Sequence, residues 1–110
     1  MKIEEYSYEF VDFIPKDIEG GKLYISIIYK VMKHKCACGC GEVVVLPIDP
    51  ISGWKLTFDG DTISIEPSIG NWDLRCQSHY YIRKNKTVEI QSRSKVHKKK
   101  KKKVRFKFWN

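Results

Sequence analysis

The chain has no apolar run approaching the ~18–20 residues that a membrane span needs, so no membrane association is expected. Met1 to Pro15 carries charges throughout and shows no apolar leader core, which argues against a secretory signal. A cytoplasmic, reducing setting is therefore expected. No amphipathic pattern of helical period reaches ~10 residues, no segment repeats, and no phosphate-binding glycine loop is present. Helical bundles, repeat arrays and nucleotide-binding α/β folds are thereby set aside. Cysteine is scarce, with four residues in 110, and those four are clustered. The 42% hydrophobic and 13% aromatic content is that of a packed globular domain, but one small enough that its core is marginal.

Acidic residues are missing from one region altogether. Residues 92–110 hold ten basic side chains and no Asp or Glu, leaving eleven basic against thirteen acidic residues, a net of −2, in residues 1–91. The overall charge of +8 thus belongs to a tail, and the body does not have the composition of a nucleic-acid-binding surface. The expected division is a β-domain over residues 1–91 and a polybasic tail over residues 92–110. Six consecutive lysines, Lys98 to Lys103, repel one another. With Phe106, Phe108 and Trp109 behind them, they suit a solvated tail, a last strand, or an electrostatic contact to nucleic acid or an acidic protein.

The body reads as β throughout. Tyr6, Tyr8 and Phe10 alternate with polar residues up to a stop at Pro15. Leu23, Ile25 and Ile27 mark one face of a strand that follows the Gly20-Gly21 turn and is predicted to run on through Val31 toward His34. Val43-Val44-Val45 predicts a strand buried on both faces. Trp54, Leu56 and Phe58 lead into an Asp59-Gly60 hairpin turn, and Ile63 and Ile65 form a return strand predicted to stop at Pro67. Ser68 to Arg75 reads as a loop. Residues 81–83 and 87–90 make a last hairpin with Asn85 in its turn. A small all-β meander or barrel is the predicted fold.

The cysteines form two compact clusters, Cys36-Ala37-Cys38-Gly39-Cys40-Gly41 and Cys76-Gln77-Ser78-His79, at the tips of two predicted hairpin-like loops. Two knuckles of closely spaced soft ligands are the pattern of a single zinc ion, as in zinc ribbons and Rieske-type domains. Two ligand sets satisfy a tetrahedral site. One is Cys36, Cys38, Cys40 and Cys76. The other combines two cysteines of the first cluster with Cys76 and His79. A two-iron Rieske cluster is disfavoured, because cysteine stands where its first histidine is required. Three or four thiolates leave no open position, so the zinc is expected to be structural. In the all-cysteine set His79 is free to act as a general base. Ser68 and Ser78 are then the candidate nucleophiles. Ser78 adjoins His79 and can pair with it only across a bent backbone, since neighbouring side chains on a strand face opposite ways. Asp59 or Asp73 is a candidate to orient the imidazole.

Cys36 to Glu42, Gly53-Trp54, Pro67-Ser68-Ile69 and Cys76 to Arg83, in that order, resemble a family of small prokaryotic proteins long catalogued as a domain of unknown function. The match spans residues 20 to 91. Members occur beside genes for Bub-type bacterial ubiquitin-like conjugation and are thought to be peptidases acting on the modifier. The resemblance implies a zinc-binding, Rieske-like β-domain, with the four cysteines as ligands and Ser68, Ser78 and His79 as the polar positions nearby. A serine-type peptidase would use His79 as base and Ser68 or Ser78 as nucleophile, with a ubiquitin-like protein or its conjugates as partner. The rival expectation is a non-enzymatic zinc adaptor that binds through its tail.

Overall fold

In the computed structural model, residues 1–72 and 74–90 are described; Asp73 and the polybasic segment, with the strand considered for Phe106 to Trp109, lie outside them. The described residues form eight strands and no helix: β1 (Ser7–Phe10), β2 (Lys22–Ser26), β3 (Val31–Lys35), β4 (Val43–Pro47), β5 (Lys55–Phe58), β6 (Ile63–Gly70), β7 (His79–Arg83) and β8 (Lys86–Glu89). They build two four-stranded sheets in chain order, β1-β2-β3-β4 and β5-β6-β7-β8. Every pairing is antiparallel except that of β1 with β2. The inner faces of both sheets merge into one core, which Tyr6, Leu23, Ile25, Met32, Val44 and Leu46 enter from one side and Ile63, Ile65, Ile69, Tyr80 and Ile82 from the other. Each fully buried isoleucine contributes about 1.5–3 kcal/mol of transfer free energy, so this shared layer is what joins the sheets.

Two bridges begin to close the sheets into a barrel. On one side Glu5 pairs with Lys86, and Thr87 N–H donates to Glu4 C=O, tying the chain start to β8. On the other side Ile48 pairs with Trp54, and Trp54 N–H donates to Pro47 C=O. Beyond that second bridge the seam between β4 and the β5–β6 hairpin is open.

Four local expectations are corrected. The strand predicted from Leu23 through His34 is two strands, β2 and β3, separated by a turn over Ile27 to Lys30. Ser26 Oγ caps that turn by accepting from Tyr29 N–H, and Lys30 adopts a φ of 54°. β4 is buried on one face only: Val44 and Leu46 enter the core while Val43 and Val45 are exposed. β6 does not stop at Pro67 but runs on to Gly70, and Ser68 to Gly70 are strand rather than loop. This is permitted because Glu66, Pro67 and Ser68 together oppose the single Tyr81, between the pairs Ile65–Ile82 and Ile69–Tyr80. A bulge has no ladder bond for proline to break. The Asp59-Gly60 turn and the β7–β8 hairpin, with Lys84 and Asn85 both at positive φ, are as predicted.

Candidate functional site

Both loops that carry cysteine connect adjacent strands at one end of the molecule. The β3–β4 loop is closed by Cys36 N–H donating to Glu42 C=O and is turned by Gly39 N–H donating to Cys36 C=O. Gly39 has a φ of 91°, a conformation glycine adopts without cost. The β6–β7 loop winds through two successive turns, Leu74 N–H to Asn71 C=O and Gln77 N–H to Leu74 C=O. Gln77 then reverses the chain at a φ of 47° and feeds Ser78 into β7.

These loops bring the sulfurs of Cys36, Cys38, Cys40 and Cys76 within 4.8 Å of one another, a group that could hold a metal ion. Cys36 Sγ lies 3.5 Å from Cys38 Sγ and 3.7 Å from Cys76 Sγ, and Cys40 Sγ lies 3.9 Å from Cys76 Sγ. A tetrahedron of thiolates about 2.3 Å from a central ion has edges of about 3.8 Å, close to these three separations, so the donor set suits a four-coordinate soft metal. His79 is not in the group. The mixed cysteine–histidine ligand set is therefore not the one the fold assembles.

Ser78 is buried, and its hydroxyl lies 2.9 Å from Cys36 Sγ and 3.5 Å from Cys76 Sγ while accepting from Asn71 Nδ2 at 2.9 Å. Asn71 Nδ2 also reaches Cys36 Sγ, at 3.5 Å. Ser78 and Asn71 can thus both donate to Cys36 Sγ, a role that orients a ligand and offsets thiolate charge. Burial pushes the Cys36 and Cys38 thiols up in the metal-free chain. Burial also opposes ionisation of Cys76, but hydrogen bonds from the Ser78 hydroxyl and backbone and from the neighbouring thiols outweigh it and draw that thiol down to about 7. Behind the loop, fully buried His34 shares a 2.7 Å hydrogen bond with Tyr80 Oη, and burial lowers its pKa to about 3. A neutral imidazole there is part of the core.

His79 faces the other way. It begins β7 with its side chain on the outer face of the second sheet, and its Nε2 lies 2.8 Å from Ser68 Oγ. The register explains how they meet. His79 is paired with Gly70, two residues past Ser68 on the same face, so the imidazole reaches diagonally across the strands. The bulge before Ile69 sets that diagonal. Glycine at position 70 has a second consequence: a Cβ there would lie 2.6 Å from Trp72 Nε1. Its absence lets Trp72 fold back so that its ring centre is 5.0 Å from that of His79, in edge contact. Trp54 Nε1 donates to Ser68 C=O at 3.4 Å and holds the serine backbone from the neighbouring loop. Ser68 and His79 are only half-buried, so solvent reaches them. With the ring proton on Nδ1, Nε2 accepts from the serine hydroxyl, the arrangement of a general base and its nucleophile.

Of the two candidate serines, the structure brings Ser68 to His79 and turns Ser78 to the sulfurs. Asp59 is not the orienting carboxylate. It is held at the far end of β6, where Asp61 N–H, Thr62 N–H and Thr62 Oγ1 donate to it, and those bonds lower its pKa to about 2. Asp73 lies outside the described residues. Asn71, Trp54 and Trp72 were not identified from the sequence as site residues. Gly53-Trp54 and the segment from Ser68 to Arg75 stand out in the sequence, but nothing in their spacing says that these side chains converge on Ser68 and His79.

No curated protein and no solved structure matches the chain. A family model does, over residues 10–90, which includes both cysteine loops and the Ser68–His79 pair. That span is most of the chain, and by it the protein belongs to the family of bacterial ubiquitination-like system serine proteases, BubE.

Proposed function

We propose that the chain is a serine peptidase in which Ser68 is the nucleophile and His79 the general base, acting on a ubiquitin-like modifier at its C-terminal extension or at its isopeptide link to a target. The observation that carries the reading is the 2.8 Å contact between Ser68 Oγ and His79 Nε2 on the solvent-reached face. Ser68 Oγ attacks the scissile carbonyl carbon as its proton passes to Nε2. The tetrahedral adduct collapses, the C–N bond breaks, and the imidazolium returns that proton to the leaving amine. Water, deprotonated by the same nitrogen, then attacks the Ser68 ester; the C–O bond breaks, the imidazolium returns the proton to Ser68 Oγ, and the acid is released. Among the described residues no carboxylate is bonded to His79, and Trp72 is the group packed against its ring.

Zinc is the metal proposed for Cys36, Cys38, Cys40 and Cys76. Four thiolates close the coordination shell, so the ion supplies folding free energy and rigidity to the β3–β4 and β6–β7 loops. His79 immediately follows the loop that it would stiffen. The test is a pair of measurements on purified His79→Ala protein beside wild type: zinc per chain, and cleavage of a modifier carrying a C-terminal extension. One zinc retained with cleavage abolished supports the reading. Zinc lost from the variant, or cleavage retained, overturns it.

A further inference from the structure

The open seam has a definite hydrogen-bonding chemistry. In an antiparallel ladder, paired residues alternate between those that exchange backbone hydrogen bonds and those that do not. Cys36 N–H donates to Glu42 C=O and Ile48 N–H to Lys30 C=O, which fixes the phase of the β3–β4 ladder. Val44 and Leu46 therefore direct their backbone groups at β3, while Val43, Val45 and Pro47 direct theirs into the seam. Pro47 has no N–H, and its C=O is taken by Trp54. Val43 and Val45 are left with N–H and C=O groups that no strand meets among the described residues.

Opposite this edge stand Trp54, Ile69, Gly70, Asn71 and Leu74, enclosing a cavity of about 200 Å³ with β4. A cavity of about 150 Å³ takes a benzene ring, so the space admits an apolar side chain of moderate size. A second cavity, of about 390 Å³, is lined by Glu66 and Pro67 together with Gly53, Tyr81 and Arg83. Glu66 and Pro67 precede Ser68, and Ile69 and Gly70 follow it. Ser68 thus stands on one strand between two cavities, one of which has an unpaired strand edge as its wall.

Unpaired edge groups with a side-chain pocket beside them complement one chemical class, an extended polypeptide. We propose that the free edge of β4 is a docking rail on which an extended segment of the peptide substrate pairs, backbone to backbone, with Val43 and Val45, leading its scissile carbonyl to Ser68. The proposal rests on the reading of the chain as a peptidase. Edge-to-edge pairing with a second copy would use the same two residues, and its dependence on protein concentration separates it from substrate in the test.

The test is Val45→Pro in the full chain. Proline removes the outward N–H and no bond to β3. Two probes are compared: p-nitrophenyl acetate, which needs no peptide segment, and an equimolar mixture of acetylated tetrapeptidyl aminocoumarins. The expected result is a ratio of peptide to ester turnover at least tenfold below wild type in Val45→Pro, with the wild-type ratio in Val45→Thr, which keeps the N–H. An unchanged ratio in Val45→Pro overturns the rail. A second measurement decides the matter if Val45→Pro fails to fold or if wild type hydrolyses neither probe, the latter being the failure of the peptidase reading itself. Backbone amide spectra of Ser68→Ala are recorded with the same peptide mixture. Shifted and exchange-protected amides at Val43 and Val45, with Val44 and Leu46 unmoved, sustain the rail. Changes confined to other residues overturn it, as does concentration-dependent protection of Val43 and Val45 before peptide is added, which would assign the edge to a second copy.

Discussion

Ser68 and Ser78 stand on either side of the β6–β7 loop, and each hydroxyl lies about the same distance from one reactive partner, 2.8 Å from His79 Nε2 and 2.9 Å from Cys36 Sγ. Ser68 is on the outer face of its sheet, half-exposed, against an imidazole that can take its proton. Ser78 is 6% exposed, on the inner side, among sulfurs and an amide that fix its hydroxyl in place. Adjacency in the chain counts for little: Ser78 is next to His79 and does not touch it through its side chain, while Ser68 is eleven positions away and does. Which face of the sheet a residue takes decides which chemistry it joins.

The largest effect expected on this comparison comes from removing what lies on the inner side. A structural ion on four thiolates carries on the order of 10 kcal/mol of apparent binding free energy. Cys36→Ala, or a strong chelator, should therefore unfold the domain and abolish hydrolysis together, read by circular dichroism and activity on one sample. Loss of activity with the fold fully kept would separate the two regions more sharply than we propose.

Exchanging the two serines is the next most decisive manipulation. Ser68→Ala should lower kcat by about a thousandfold or more while metal content and thermal midpoint stay at wild-type values. Ser78→Ala should do the reverse. Turnover stays within several-fold, and metal affinity falls roughly tenfold to a hundredfold, as for other groups that hydrogen-bond to metal ligands. Competition with a chromophoric chelator measures the second effect. If Ser78→Ala abolishes turnover in metal-loaded protein, the assignment of the nucleophile is wrong.

Gly70→Ala is expected to be smaller and confined to the outer face. The added methyl meets the Nε1 edge of a half-exposed indole, so Trp72 swings away from His79 at a stability cost below about 1 kcal/mol. The expected readout is a several-fold loss in kcat with the metal retained. The smallest effect lies where neither site should feel it. The Asp59 carboxyl is lowered to about 2 by backbone hydrogen bonds from Thr62 and Asp61. Its contribution to stability is therefore complete above the ordinary carboxylate pKa and is lost as pH falls through about 2. Asp59→Asn should flatten that acid limb of the stability profile, followed by urea midpoints between pH 4 and pH 2, and leave turnover at neutral pH untouched.

Much of this arrangement was legible in the sequence because period-two alternation and turn chemistry are local. Asp59-Gly60, the Asn85 turn, and the placing of the cysteines at two loop tips follow from residues a few positions apart. The errors arose where tertiary context overrides local pattern. Ile27, Ile28 and Tyr29 look like strand but form a turn, since Ser26 supplies the capping oxygen and Lys30 takes the left-handed conformation with no glycine or proline to announce it. Val43 and Val45 look like core and are exposed because only the Val44 and Leu46 face of β4 meets the core. Pro67 looks like a stop and instead sits in the bulge that aims Ser68. The four cysteines were identifiable as one group by spacing alone. The choice between Ser68 and Ser78 was not, because it depends on a register shift that no local signal carries.

The alternation along β7 leaves a single peptide link, between Ser78 and His79, as the boundary between the sulfur cluster and the outer face. The two sites are therefore in different reading frames of the same strand. A slip of β7 by one residue would turn the imidazole in among the sulfurs and the Ser78 hydroxyl out, but it would also expose Tyr80 and Ile82, so the burial of those two side chains is what holds each residue of the strand to its face.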